Sequence, residues 1–233
     1  MTGVRTVLHI FPPPEFPAAA ASWIAGRITS LVDEQGRCGV ALAGGETPRL
    51  VYRRLADLAV PWESVELYFG DERRVPPDDP QSNFRMLRET LLEGIRGAGP
   101  IVHRLEGEWE DGESAALAYE RLLPVRLDLV LLGMGADSHT ASLFPGSPAV
   151  GVKNRRVIPV PGPAGSVPRI TLTAPEIERA REICVLVAGR AKAKAVARAL
   201  HWPVDISMRP IQLARRGTWI LDTEAASELP LAG

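Results

Sequence analysis

The feature that most restricts the fold of this chain is an alternation. Short apolar segments rich in Val, Ile and Leu are separated by longer segments with helical periodicity. The apolar runs are residues 5–11 (RTVLHIF), 38–44 (CGVALAG), 65–70 (VELYFG), 127–133 (LDLVLLG), 156–160 (RVIPV), 169–173 (RITLT), 183–189 (ICVLVAG) and 218–222 (TWILD). Several place apolar residues consecutively, the pattern of a strand covered on both faces, as in a parallel sheet. Between them, residues 17–34 carry Ile24, Ile28, Leu31 and Val32 at i, i+4, i+7 and i+8, one apolar stripe of an amphipathic helix. Residues 48–58, 82–95, 111–123 and 190–200 read in the same way. The alternation predicts an α/β fold: a doubly wound, open, mainly parallel sheet with helices on both faces, Rossmann-like in architecture.

A chain of 233 residues is long enough to bury one large core, and no repeat, charge block or composition shift divides it, so a single domain over residues 1–233 is expected. The Pro- and Gly-rich segment 159–168 (PVPGPAGSVP) reads as a loop near a site and not as a boundary. With 27 Lys and Arg against 28 Asp and Glu, the net charge is −1, and no global field draws the chain to nucleic acid or an anionic membrane. An anionic ligand therefore requires a local site. Cys38 and Cys184 lie in strand-like runs and read as small buried hydrophobes in a reducing compartment. The opening MTGVRTVLHIF lacks a signal peptide's basic region and long apolar core, and no run approaches the ~20 apolar residues that span a bilayer. A cytoplasmic location is expected.

In open α/β sheets ligands bind outside the carboxyl ends of the strands, so the residues at those ends are the candidates. After residues 38–44, AGGETPRL places Gly44 and Gly45 in a tight turn, with Thr47 as helix N-cap and Pro48 at the first helical position. Free N–H groups there can receive an oxyanion or a hydroxyl. Glu46 would repel a phosphate, so either it points away or the phosphate sits elsewhere. After residues 65–70, GDERRVPPDDPQSNF releases Asp71, Glu72 and Arg73 together, and Ser82 or Asn83 opens the next helix. The plain alternative is loop charges and a surface ion pair; the functional one is a phosphate-binding fork from Arg73.

After residues 127–133 comes GMGADSHTASLFPG, where Gly133 and Gly135 permit a tight turn, Asp137 and His139 project near the strand end, and residues 140–143 can begin a helix. Ser142 could share a face with His139, although a cap or packing role is commoner. Arg169 opens residues 169–173, and Lys192 follows in the first turn after GRAKAKAV; with Arg73 they could form a phosphate pocket. His9, His103, His139 and His201 are scattered, so no metal-ligand set and no cofactor motif is evident, nor a G-x-S-x-G nucleophile elbow.

Taken in order, AGGETP, GDERRVPPDDPQSN, DLVLLGMGADSHTASLFPG, PRITLT and GRAKA resemble the 6-phosphogluconolactonase family. The resemblance implies metal-free hydrolysis of a small phosphorylated sugar lactone, 6-phospho-D-glucono-1,5-lactone, in the oxidative pentose phosphate pathway. It implies His139 as the catalytic histidine with Asp137 beside it, and Gly44 and Gly45 as substrate-binding glycines. It also implies Asp71, Arg73 and Asn83 as a polar strand-end group, and Arg169 and Lys192 as phosphate-side cations. The chain departs from the family's frequent SGGSTP at Ala43 and Glu46, and from its DGHTASLFP at Ser138, where the turn must accept a side chain.

The chemistry has its own support, because a δ-lactone is a reactive ester and an imidazole, with a reference pKa of about 6.5, can activate water against it. Asp137 would orient either the loop or the ring. Two other readings compete. A glucosamine-6-phosphate deaminase/isomerase would use the acid at Asp71 as a base, but Ser82-Asn83 and TASLFP match the lactonase pattern. A non-catalytic sugar-phosphate sensor would carry a DNA-binding extension, for which no segment is spare.

Overall fold

The computed structural model describes residues 6–230; Arg5, which opens the first predicted strand, lies outside them. The elements are β1 (Val7–Phe11), α1 (Phe16–Gln35), β2 (Cys38–Leu42), α2 (Glu46–Leu55), β3 (Val65–Phe69), β4 (Asp71–Arg73), α3 (Asn83–Thr90), β5 (Ile101–Val102), α4 (Gly112–Leu122), β6 (Leu129–Leu132), β7 (Val157–Val160), β8 (Arg169–Leu172), α5 (Ala174–Arg179), β9 (Glu182–Val187), α6 (Ala193–His201) and β10 (Thr218–Asp222).

Seven strands form one sheet in the order β1-β10-β9-β6-β2-β3-β5, and every neighbouring pair in it is parallel. After β2 the chain adds β3 and β5 on one side; after β5 it returns to β6 on the other side. The order therefore reverses between β2 and β6, and such a switch point opens a crevice beyond the strand ends. The central strands are apolar and buried along their length, as their unbroken hydrophobic runs require. Edge strand β1 differs, with Val7, Leu8 and Ile10 each more than a third exposed. On α1, Ile24, Ile28 and Leu31 are buried and Val32 packs at the rim of the core; the helix stops at Gly36, whose φ of 79° lets its N–H reach Val32 O.

The expected open, mainly parallel sheet is present, and a second, smaller sheet accompanies it. β4, β8 and β7 form a separate antiparallel sheet in the order β4-β8-β7. The runs at 156–160 and 169–173 are thus a hairpin pair joined by the Pro- and Gly-rich loop. The residues Asp71 to Arg73, expected to leave the sheet as loop, are themselves a strand. Helix α5 and strand β5 were not expected either; both are too short to present a period.

Two local expectations also fail. Helix α2 starts at Glu46 with Gly45 as its N-cap, not Thr47, because Gly45 at φ 100° turns the chain two residues earlier. Pro48 is still tolerated, since the first four helical N–H groups have no acceptor in the helix. Residues 140–143 form no helix. Ser138 (φ 74°) and Ala141 (φ 47°) hold left-handed backbone, Thr140 Oγ1 donates to Gly133 O, and Thr140 and Leu143 bridge to each other. Ser142 accordingly shares no helical face with His139.

Candidate active site

One cleft at the switch point is lined by Gly44 and Gly45 from the turn into α2, Asp71 and Arg73 from β4, His139, Arg169 and Lys192. Asp137 and Asn83 stand behind it, each touching a residue that lines it.

His139 is held by Asp137. One carboxylate oxygen, Oδ1, accepts the backbone N–H of His139 at 3.1 Å and meets its Nδ1 at 2.6 Å. With Asp137 ionised, the proton of a neutral imidazole sits on Nδ1, and the Nε2 lone pair is free. Burial works to raise the Asp137 pKa, but the backbone N–H, the charge and the ring N–H of His139 together outweigh it and hold the carboxyl below its ordinary value. The pair fits only because residue 135 is glycine. A Cβ there would lie 2.2 Å from His139 Nδ1 and 2.4 Å from Asp137 Oδ1. Gly135 N–H itself is taken by His139 O, so it has none to offer a ligand.

The residues Asp71, Glu72 and Arg73 are sorted by the alternation of a strand. Asp71 and Arg73 face the cleft. Glu72 faces away, buried, and its carboxylate accepts the N–H groups of Arg73, Asn83 and Phe84 and the Ser82 hydroxyl. It caps α3 alongside Ser82, whose Oγ accepts the Arg85 N–H. Burial raises its pKa; the three N–H groups pull against that without cancelling it, and Asp71 adds to the rise.

Asp71 is the junction of the site. Its Oδ2 accepts the hydroxyl of fully buried Ser142 at 2.6 Å, its Oδ1 accepts Asn83 Nδ2 at 3.2 Å, and Arg169 Nη1 lies 3.9 Å away. Asn83 Oδ1 in turn accepts from Arg73 Nη1 at 2.7 Å. Gly44 must lack a side chain, because a Cβ would fall 2.0 Å from that Asn83 oxygen. Ser142 N–H donates to Thr171 Oγ1, which ties the His139 turn to β8.

The cations are set by the second sheet and α6. In the antiparallel pairing of β4 with β8, Arg73 lies directly opposite Arg169. Like charges in that position repel. Burial lowers the Arg169 pKa, Asp71 opposes this, and Arg73 lowers it further. Lys192, at the start of α6, is lowered by burial alone. Arg73, Arg169 and Lys192 thus bring three cationic side chains to one cleft. Glu46 lines the same cleft, at its exposed rim; its side chain is 84 % exposed and its Oε1 lies 3.4 Å from Arg49 Nε.

Glu72, Ser142 and Thr171 are the structural residues missed as site-builders in the sequence, along with Phe144. The Phe144 ring lies 4.9 Å from the imidazole of His139, and 5.8 Å from the Arg169 guanidinium carbon, centroid to atom. An acid alternation read as strand would have signalled Glu72; nothing local marks the others. Among the described residues, no helix is long and apolar enough to cross a membrane.

An open parallel sheet with a His–Asp pair and three cationic side chains in and around one switch-point cleft defines a class, an α/β protein whose polar groups converge beyond the strand ends. The chain belongs to the family described as glucosamine-6-phosphate isomerases/6-phosphogluconolactonase, whose model matches residues 13–221. Among its relatives, the 6-phosphogluconolactonase of Synechocystis sp. is 37 % identical over 219 residues, covering 88 % of this chain and 90 % of that one. The protein of the same name from Mycobacterium tuberculosis is 37 % identical over 242 residues, covering 96 % and 98 %. A crystal structure of a 6-phosphogluconolactonase from Shewanella baltica superposes with a TM-score of 0.85 at 27 % identity, covering 94 % of this chain and 97 % of that one.

Proposed function

We propose that the protein hydrolyses 6-phospho-D-glucono-1,5-lactone to 6-phospho-D-gluconate, as the second step of the oxidative pentose phosphate pathway, with His139 as the base. The observation that carries this reading is the pairing in one cleft of an imidazole held at Nδ1 by Asp137 with the facing arginines of β4 and β8.

Arg73, Arg169 and Lys192 take the phosphate and so place the lactone carbonyl beside His139, turning remote binding into orientation. Nε2 removes a proton from water as its oxygen attacks C1. The imidazolium that forms is stabilised by Asp137. The oxyanion is received by N–H groups of the Gly44–Gly45 turn and the first turn of α2, where no helical acceptor competes. Collapse expels the ring oxygen, which takes the proton back from Nε2, and the acid ionises in water.

Asp71 supports this chemistry over that of the aminosugar rival. Its two oxygens already accept from Ser142 and Asn83, so it is engaged as a holder of the site and not free as a base. The reaction is assigned to the cytoplasm, a reading supported by two buried free thiols, of which Cys38 is raised to about 12 by burial and so kept unreactive.

A coupled assay that generates the lactone enzymatically tests the proposal. Wild type accelerates lactone loss, and His139→Ala returns it to the spontaneous rate. A His139→Ala enzyme with wild-type turnover, or ammonia release from glucosamine 6-phosphate by wild type, refutes it.

A further inference from the structure

The turn that carries His139 is gripped from behind by a segment that does not reach the cleft. Ser138 O accepts the N–H of Ile211 at 3.1 Å, and Gly146 N–H donates to Ser207 O at 2.8 Å. These two bonds hold the turn at both ends. They matter because the turn contains left-handed Ser138 and Ala141, a backbone that side-chain-bearing residues keep only when the surroundings enforce it.

The gripping segment, residues 203–214, is itself organised by one buried side chain. Gln212 is 3 % exposed. Its Oε1 accepts the N–H of Asp205 at 2.7 Å, which sets the start of the segment. Its Nε2 faces Pro203 O at 3.2 Å and Ala199 O at 3.3 Å, on the last turn of α6 and just beyond it. Those carbonyls belong to the end of a helix that has no further N–H to offer them. The other end of the same helix begins at Lys192, in the cleft.

One amide therefore joins the helix that brings the phosphate-side lysine to the segment that grips the histidine turn. A nine-residue helix is a rigid rod, so fixing its far end fixes its near end. We infer that Gln212 is a positioning residue that sets the distance between the phosphate pocket and His139, so that phosphate binding delivers the carbonyl to the base. This inference rests on the lactonase reading proposed above.

Gln212→Met keeps the length and volume of the side chain and removes both its hydrogen-bonding ends. Ile24→Val, a core change in α1 remote from the cleft, serves as the reference for a loss of stability alone. The measurement is kcat/KM for the 6-phosphorylated lactone and for glucono-1,5-lactone without phosphate, in each protein. In wild type only the phosphorylated lactone gains from the pocket. Gln212→Met therefore lowers the ratio of the two values about tenfold, through kcat with KM little changed, because misplacement of order an ångström costs up to about a hundredfold. Ile24→Val leaves the ratio alone, since less folded enzyme turns over both lactones proportionately less.

A ratio that stays at the wild-type value in Gln212→Met overturns the inference, as does an equal fall in Ile24→Val. Hydrogen exchange provides an arm independent of turnover: Ile211 and Gly146 N–H lose protection in Gln212→Met while amides of β2 and β9 keep theirs. Unchanged protection at those two amides also overturns it. Wild type inactive on the phosphorylated lactone would instead refute the lactonase reading, and the exchange result would still decide whether Gln212 holds the turn.

Discussion

Replacing Arg169 by Met should make the empty protein more stable and the enzyme worse. The guanidinium is 16 % exposed and directly opposite Arg73, and its pKa is lowered by burial, with Asp71 only partly offsetting that. An arginine that folding makes a weaker base is one whose charged form the fold disfavours. At neutral pH it stays charged, so that cost is present in full. Like charges directly opposite in a sheet cost ~0.2–1 kcal/mol, and desolvation adds to this, against a loose contact with Asp71 at 3.9 Å. Methionine keeps an apolar stem over Phe144 and removes the charge. A net gain of about 1 kcal/mol raises Tm by about 2–4 °C in a domain of this size. Against that, a charge-assisted hydrogen bond to phosphate is worth ~1.5–3 kcal/mol, so kcat/KM on the phosphorylated lactone falls about 10- to 150-fold, chiefly through KM. Differential scanning fluorimetry with and without inorganic phosphate, beside the coupled lactone assay, reads both. Phosphate at about a hundred times its Kd stabilises wild type by about 2.7 kcal/mol, and the variant should show little of that rise. Arg169→Met with a lower Tm than wild type in phosphate-free buffer, and an undiminished response to phosphate, would refute the reasoning that this cation is kept for a ligand.

Asp137→Asn removes the charge that faces the imidazolium but leaves a side chain of the same size. Unit charges about 4 Å apart attract by about 1 kcal/mol in water and about 4 kcal/mol near a protein surface, and Asp137, with its side chain 54 % exposed, belongs near the lower end. A kcat fall of about 5- to 30-fold follows; an Asp137→Asn enzyme with wild-type kcat would remove Asp137 from the mechanism. The lowered Asp137 pKa also means that its stabilising contribution is present above the ordinary carboxylate value of about 3.9 and is lost as pH falls through the lowered one, so an acid titration of Tm should be flatter in Asp137→Asn. Ser138→Gly relieves a left-handed residue, a strain of about 1–2 kcal/mol, but frees the unfolded chain by ~0.4–1 kcal/mol and gives up a buried side chain. The variant should melt within about 3 °C of wild type and keep its kcat, and a loss of more than tenfold in kcat would show that the Ser138 side chain contributes to the turn.

The parallel sheet was legible because its strands advertise themselves: β2, β6 and β9 are apolar at consecutive positions, and the helices between them keep a stripe. The antiparallel sheet was not. β4 is three charged residues, Asp71, Glu72 and Arg73, whose strand character comes from pairing with β8 and not from their own hydrophobicity. The same blindness affected their roles. Read as loop, the triplet gives three equivalent charges; read as strand, it gives two residues to the cleft and sends Glu72 to the end of α3. The histidine turn was legible as a turn from its glycines, yet only Gly135 is required by contact. A Cβ on Gly133 would meet Gly44 O at an ordinary 3.7 Å. Ser138 stands where the resembled motif has glycine, and its φ of 74° is one that glycine adopts without strain. Ser142 looked like helix, because Thr-Ala-Ser-Leu has no breaker; tertiary hydrogen bonds to Thr171 and Asp71 decide otherwise.

The two sheets divide the labour of the site, and the division follows from their geometry. Parallel strands end together, so β2 and β6 deliver the glycine turn and the His–Asp turn side by side at the switch point, where backbone N–H groups and a base can converge on one carbonyl. They cannot easily supply facing cations, since residues leaving parallel strands diverge into separate helices. An antiparallel pair does so directly: register places Arg73 against Arg169, and the strand period places Asp71 and Thr171 beside them on the same face. Asp71 and Thr171 then reach across to Ser142, on the His139 turn, so the antiparallel sheet is fastened to the turn after β6 through buried hydrogen bonds. On the proposed reading, a change at Arg169 therefore weakens phosphate binding without moving His139, whereas a change at Asp71 or Ser142 disturbs both.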